Sequence, residues 1–254
     1  MPTRTAADLL PLPPVWLLRN ASLFIDFDGT LVELIDRPDA VTVDDGLIDL
    51  LGRVSAVLPG RVAVVSGRSI EQIDHFLGDQ ARNLAVAGSH GVERRLPDGS
   101  ISFPELPDFT PVAEALASFT AMHPGTIVEP KRYGVALHYR LAPQSEVEAR
   151  AMVTELAEKF GFGVQMGKMM AELKVAGGNK GEAVAAFMEE PVMTGTTPWF
   201  IGDDMTDEDG FSIARASGGG GILVGTPRKT KATYGLSDVS AVRTWLMEAV
   251  RSLA

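Results

Sequence analysis

The chain has 254 residues and no cysteine, with 23 basic against 33 acidic residues, a formal charge of −10, and 45% hydrophobic residues. That apolar share supports a folded core and excludes disorder as the main state. The acidic balance argues against a nucleic-acid surface, and the missing cysteines exclude a disulfide framework, a thiol nucleophile and a Cys-ligated zinc site. In chain order, the first twenty residues break their apolar stretch with Pro11, Pro13 and Pro14. This is unlike the unbroken apolar centre of a signal peptide, and no run approaches the roughly 20 apolar residues of a membrane helix, so a cytoplasmic protein is expected. Leu23-Phe24-Ile25 then runs into Asp26-Phe27-Asp28-Gly29-Thr30, and residues 44–58 read as a helix. Val62-Ala63-Val64-Val65 ends in Ser66-Gly67-Arg68, residues 69–77 read as a second helix, and Leu84-Ala85-Val86-Ala87 ends in Gly88-Ser89-His90-Gly91.

The middle reads differently. Residues 111–122 look helical, 126–131 and 134–140 look like paired strands around Arg132-Tyr133, 145–160 form a strong helix, and 162–166 and 171–175 look like two more strands. Trp199-Phe200-Ile201 then runs into Gly202-Asp203-Asp204, and Ile222-Leu223-Val224 into Gly225, with Gly218 to Gly221 read as a loop leading into that strand. Short apolar runs bounded by turn residues suit strands buried on both faces, and their alternation with helices predicts an α/β, Rossmann-like parallel sheet. The middle is expected to be a small α+β domain, 108–176, inserted in a core made of 1–107 and 177–254, with Pro and Gly-Gly-Asn marking the crossings.

Ligands of open α/β sheets sit beyond the carboxyl ends of the strands, which is where the polar residues gather. Residues i and i+2 of an extended segment point the same way, so Asp26 and Asp28 can face one pocket. One carboxylate can attack phosphorus, and a neighbour can give and take a proton. The bland alternative is a strand end followed by an Asp-Gly turn. The acids of Gly202-Asp203-Asp204-Met205-Thr206-Asp207-Glu208 are hard oxygen donors suited to Mg²⁺. Alternatively, Thr206 with Asp209 forms a capping box and the acids answer a helix dipole, a reading that leaves Asp203 and Asp204 unexplained. Ser66-Gly67-Arg68 offers a hydroxyl and N–H groups at a helix mouth for a phosphate oxygen, and Lys180 offers a positive charge, although a lone lysine is usually solvated. Neither a Walker A nor a dinucleotide fingerprint is present.

Taken in order, these segments resemble the four motifs of the haloacid dehalogenase superfamily of Mg²⁺-dependent phosphotransferases: Asp26 to Thr30, Ser66, Lys180, and Gly202-Asp203-Asp204. The insertion is similar to that superfamily's second type of cap. Within the superfamily, the chain is most similar to the trehalose-6-phosphate phosphatases. The resemblance rests on the Thr-Asp-Glu extension at 206–208, on Gly88-Ser89-His90-Gly91-Val92-Glu93, and on the segments Glu129-Pro130-Lys131 and Ala136-Leu137-His138-Tyr139-Arg140. It implies Asp26 as nucleophile, Asp28 as general acid/base, and Ser66 and Lys180 on the transferring phosphoryl group. It also implies Mg²⁺ on Asp26, the main-chain carbonyl of Asp28 and Asp203, with Asp204 or Asp207 in support. Glu129, Lys131, Arg140, Lys168 and Glu172 would contact the sugar, and Gly67, Arg68 and His90 would line the core side of the pocket. For the charged sheet residues the alternative is a solvated face with cross-strand ion pairs. The expected activity is hydrolysis of trehalose 6-phosphate through an aspartyl phosphate. The alternatives are another sugar-phosphate phosphatase, a phosphomutase, or a silent sugar-phosphate sensor. The expected partner is a small-molecule sugar phosphate, with neither nucleic acid nor membrane, and the chain is expected to be a monomer or weak homo-oligomer.

Overall fold

The computed structural model describes residues 10–35, 41–103, 107–167 and 169–253. The chain divides into two compact units, Met1–Phe103 with Gly178–Ala254, and Pro104–Gly177, against expected crossings at 107 and 177.

The larger unit is built on eight strands: β1 (Ala21–Ile25), β2 (Val62–Val65), β3 (Ala85–Gly88), β4 (Glu93–Arg95), β5 (Ile101–Ser102), β10 (Thr197–Gly202), β11 (Gly220–Val224) and β12 (Tyr234–Leu236). Their spatial order is β12-β11-β10-β1-β2-β3-β4-β5. The pairings from β12 to β3 are parallel, whereas β3–β4 and β4–β5 are antiparallel. Every residue of β1, β2, β10 from Pro198 onward, and β11 is buried, so neither face reads as polar and alternation sorts side chains between two apolar layers. Leu23, Ile25, Val62, Val64, Ile201 and Ile222 pack with Leu47, Leu51, Ile73, Val242 and Leu246. These come from α1 (Asp45–Val57), α2 (Ile70–Leu77) and α7 (Val239–Leu253). Phe24, Ala63, Val65, Phe200 and Leu223 pack with Phe187 and Phe211, from α5 (Lys180–Met188) and α6 (Asp207–Ala216). The chain leaves β1 toward β2 on one side and returns to β10 on the other. The carboxyl ends of β1 and β10 therefore flank the point where strand order reverses, the usual ligand crevice of such sheets.

The smaller unit is a four-stranded antiparallel sheet in the order β6 (Ile127–Lys131), β7 (Gly134–His138), β9 (Met170–Lys174), β8 (Gly163–Gly167). The helices α3 (Thr110–Met122) and α4 (Glu146–Phe160) supply the rest of its core. Val135, Leu137, Ala171 and Leu173 are buried with Val112, Leu116, Val153 and Leu156. Residues on the alternate positions, Glu129, Lys131, His138, Glu172 and Gln165, therefore share the opposite face.

Two local expectations need correction. The strand expected over 134–140 ends at His138, because Tyr139 and Arg140 enter a turn in which the Ala142 amide donates to the Tyr139 carbonyl. The glycine run is not wholly a loop, since Gly220 and Gly221 belong to β11. A Cβ at Gly220 would lie 2.7 Å from the Trp199 ring, and one at Gly221 2.5 Å from the Phe211 ring, so aromatic rings take the space that side chains would need. Among the described residues no helix is long and apolar enough to cross a membrane.

Candidate active site

Asp26 follows the last residue of β1 and is buried, as is Lys180, the first residue of α5. The Lys180 ammonium lies 3.0 Å from Asp26 Oδ1 and donates at 2.6 Å to Asp207 Oδ1. The surface reading of this lysine therefore fails: α5 starts behind the Asn179 cap with the side chain aimed beneath the sheet rim. Asp203, just past β10, completes the cluster. One carboxylate oxygen from each of Asp26, Asp203 and Asp207 lies within 4.8 Å of the others.

Glycines make this convergence possible. Gly29 has φ +80°, and a Cβ there would sit 2.3 Å from Asp203 Oδ2. At Gly202 a Cβ would sit 2.2 Å from the Asp207 carboxyl carbon. The Thr30 hydroxyl donates to Asp203 Oδ1 at 3.3 Å.

Burial pushes the Asp26 carboxyl well above the ordinary range, and the Asp207 charge adds to it against the pull of Lys180. Burial also raises Asp207, again opposed by Lys180. Asp203 is pushed up to about 6 by burial and by the charges of Asp207 and Asp204. Burial alone would lower the Lys180 ammonium, but Asp26 and Asp207 hold it above its ordinary value. Ionised, the three carboxylates carry three negative charges against the one positive charge of Lys180, and the surplus matches one divalent cation. Buried, hard, anionic oxygens are the donor set such an ion takes, so these residues could hold a metal.

Asp204 stands apart from that cluster. Its Oδ1 accepts from the Thr206 amide and hydroxyl at 2.7 Å each, and its own amide donates to Asp207 Oδ2 at 2.9 Å. Of the two acids left open as metal support, Asp207 is the one the fold brings beside Asp26 and Asp203. The capping box of Thr206 with Asp209 does not form: Thr206 precedes α6 but gives no side-chain cap bond, because its hydroxyl is turned back to Asp204.

Asp28 also lies outside the carboxylate cluster. Arg68 grips it with both prongs, Nε to Oδ2 and Nη2 to Oδ1, each at 2.7 Å. The buried guanidinium lies over the Phe76 and Phe27 rings, at 4.8 and 5.8 Å from their centroids. Ser66 is buried, and its hydroxyl oxygen accepts from the Arg68 amide at 3.1 Å. The mouth of α2 is filled by protein groups. The Ile70 amide donates to the buried Glu93, and Ser69 caps Gln72. His90, at φ 59°, donates its amide to the Ser66 carbonyl, and its ring sits so close over Gly67 that a Cβ there would meet it at 2.7 Å.

On the open face of the small sheet, Glu129, Ala136, Glu172 and Gln165 form one cross-strand row. Lys131 donates to Glu172 at 2.6 Å, and His138 pairs with Glu129 at 2.7 Å. The ion pairs offered as the bland alternative are thus present, in a patch dense with donors and acceptors. Arg140 is exposed in the turn after β7 and outside this row, and Lys168 lies outside the described residues. Sequence reasoning missed His138, whose alternation with Ala136 was the available signal. It also missed Arg228, which donates to the main chain of Asp203 and Asp204 from a segment with no motif of its own.

A sequence model of the family described as Trehalose-phosphatase matches residues 24–240. The chain is 37% identical over 226 residues to the trehalose-6-phosphate phosphatase of Escherichia coli (strain K12), covering 88% of this chain and 84% of that protein. It is 39% identical over 213 residues to a probable trehalose-phosphate phosphatase of Sinorhizobium fredii (strain NBRC 101917 / NGR234), covering 83% and 80%. A solved structure of Aspergillus fumigatus trehalose-6-phosphate phosphatase superposes with a TM-score of 0.74 at 26% identity, covering 99% of both chains. A trehalose-6-phosphate phosphatase related protein gives 0.70 at 29% identity, covering 91% of this chain and 97% of that one. With the motif order, the sheet topology and these likenesses in agreement, the chain belongs to the trehalose-phosphatase family.

Proposed function

We propose that the chain hydrolyses trehalose 6-phosphate to trehalose and inorganic phosphate, with Asp26 as the phosphoryl acceptor. The observation that carries the chemistry is the buried Asp26 carboxylate, held by Lys180 beside Asp203 and Asp207 at the strand-order switch. A carboxylate oxygen of Asp26 attacks phosphorus, and the bond from phosphorus to the sugar oxygen breaks. Asp28 gives its proton to that departing oxygen. Water then attacks the aspartyl phosphate, Asp28 takes the water's proton, and the bond from phosphorus to Asp26 breaks. Lys180 keeps the acceptor oriented, and Ser66 holds a phosphate oxygen. Arg68 orients Asp28 through its two-pronged bond, and one prong must let go for that oxygen to carry the proton.

Mg²⁺ is the ion expected on Asp26, Asp203 and Asp207, together with the Asp28 main-chain carbonyl, and when bound it neutralises charge on the transferring group. We assign sugar recognition to the unit Pro104–Gly177, through Glu129, Lys131, Glu172, Arg140 and Lys168. A disaccharide offers only hydroxyls, and a site built to pair with hydroxyls rejects analogues that lack them. A cysteine-free chain suits the reducing cytoplasm. The test is phosphate release from a panel of sugar phosphates with Mg²⁺ and with EDTA. Trehalose 6-phosphate should have the highest kcat/KM, and only with the metal. A higher value on glucose 6-phosphate would overturn the substrate, and full activity in EDTA would overturn the metal.

A further inference from the structure

Asp203 must present its carboxylate beside Asp26, yet it sits in the loop 203–206, which has no ladder of its own. The turn made by Asp204, Thr206 and Asp207 fixes the far side of that loop. The near side is held from elsewhere, by Arg228 in the segment between β11 and β12. Its Nη2 donates to the Asp204 carbonyl at 2.5 Å and to the Asp203 carbonyl at 3.4 Å, and its Nη1 pairs with Glu208. Glu208 is buried in the first turn of α6, and its other oxygen accepts from the Lys231 amide at 2.7 Å, which ties the segment of Arg228 to the helix. One planar fork thus spans two successive carbonyls and the carboxylate that anchors it. A fixed multi-donor geometry of this kind is available to arginine and not to lysine.

We propose that Arg228 is a positioning residue of the acidic site. It clamps the main chain of Asp203 and Asp204 so that the Asp203 carboxylate is presented, with Asp26 and Asp207, to a divalent cation. This rests on the reading of those three carboxylates as a metal site. The role can be separated from simple charge because the two effects have opposite signs. Arg228 is a positive charge near a cation site, so by Coulomb's law its removal alone strengthens cation binding. A lost clamp weakens it, and residues that orient metal ligands typically affect affinity by roughly 10–100-fold.

The experiment titrates Mg²⁺ alone into the EDTA-stripped, dialysed full chain by calorimetry, for the wild type, Arg228→Met and Arg228→Lys, with thermal melts of each metal-free protein. Both variants should bind Mg²⁺ about 10-fold or more weaker than the wild type. The lysine variant keeps the charge and a partner for Glu208, so it decides the matter if the methionine variant does not fold. Equal or tighter binding by Arg228→Met would overturn the clamp, and wild-type affinity in Arg228→Lys would overturn the need for the fork. A wild type that binds no Mg²⁺ would instead bring down the metal reading, and the clamp with it.

Discussion

Replacing Gly29 by alanine perturbs the backbone and the acidic site together. At φ +80° the residue lies in the left-handed region, where a side chain costs about 1–2 kcal/mol. The new Cβ would stand 2.3 Å from Asp203 Oδ2 and 2.6 Å from Oδ1, where ordinary contact begins near 3.4 Å. The carboxylate therefore has to retreat by about 1 Å, out of a group whose oxygens converge within 4.8 Å. Misplacement on that scale lowers turnover by about 10²-fold. Gly99→Ala supplies the control, because Gly99 also has positive φ, at +85°, but nothing lies within 4 Å of its added Cβ. Phosphate release at saturating trehalose 6-phosphate and Mg²⁺, with urea unfolding, should show both variants destabilised by at least about 1 kcal/mol. Only Gly29→Ala should lose turnover. If Gly29→Ala keeps wild-type kcat, the Asp203 carboxylate does not need its place beside Asp26, and the reasoning fails.

Asp26→Asn should bind trehalose 6-phosphate in calorimetry yet release no phosphate, because an amide cannot accept and return the phosphoryl group; near-normal turnover removes Asp26 from the role. Lys180→Ala leaves buried Asp26 and Asp207 without their counter-charge, and unfolding in urea at pH 7 should show a loss of about 3–5 kcal/mol. A loss under about 1 kcal/mol would mean that the ammonium is not what balances them. Arg140→Ala should lower kcat/KM for disaccharide phosphates while sparing a generic aryl phosphate, and equal losses on both would contradict sugar recognition by that side chain.

The strands were legible because burial on both faces leaves an uninterrupted apolar run, and each run stops where the chain turns polar at the crevice. Leu23-Phe24-Ile25 into Asp26 and Trp199-Phe200-Ile201 into Gly202-Asp203 are the clearest cases, and the observed strands end at Ile25 and Gly202. Gly220 and Gly221 misled, since glycine ordinarily weakens a strand, and it is the close approach of the Trp199 and Phe211 rings and the Thr233 side chain that explains why it is needed. Tyr139 and Arg140 continue an alternating pattern, so nothing local shows that the strand stops at His138.

Within the site, the order of acids and lysine pointed to the residues that the fold brings together, but spacing left Asp204 and Asp207 equivalent. Their surroundings separate only in three dimensions, where Thr206 bonds one and Lys180 the other. The bond of Arg68 to Asp28 was not legible, because the two are 40 positions apart in the chain. Arg228 was invisible for the same reason, since a lone arginine in a polar loop carries no periodicity or spacing to mark it.

The pairing of β1 with β10 has a consequence for how the enzyme comes into being. Thr30 and Asp203, which meet beside the crevice, are 173 positions apart. During synthesis Asp26 leaves the ribosome long before Lys180, Asp203 and Asp207 exist. A nascent chain thus carries an isolated, solvated aspartate and no catalyst. Closing so large a loop is a slow, late event, and reactivity switches on with that closure rather than growing gradually with length.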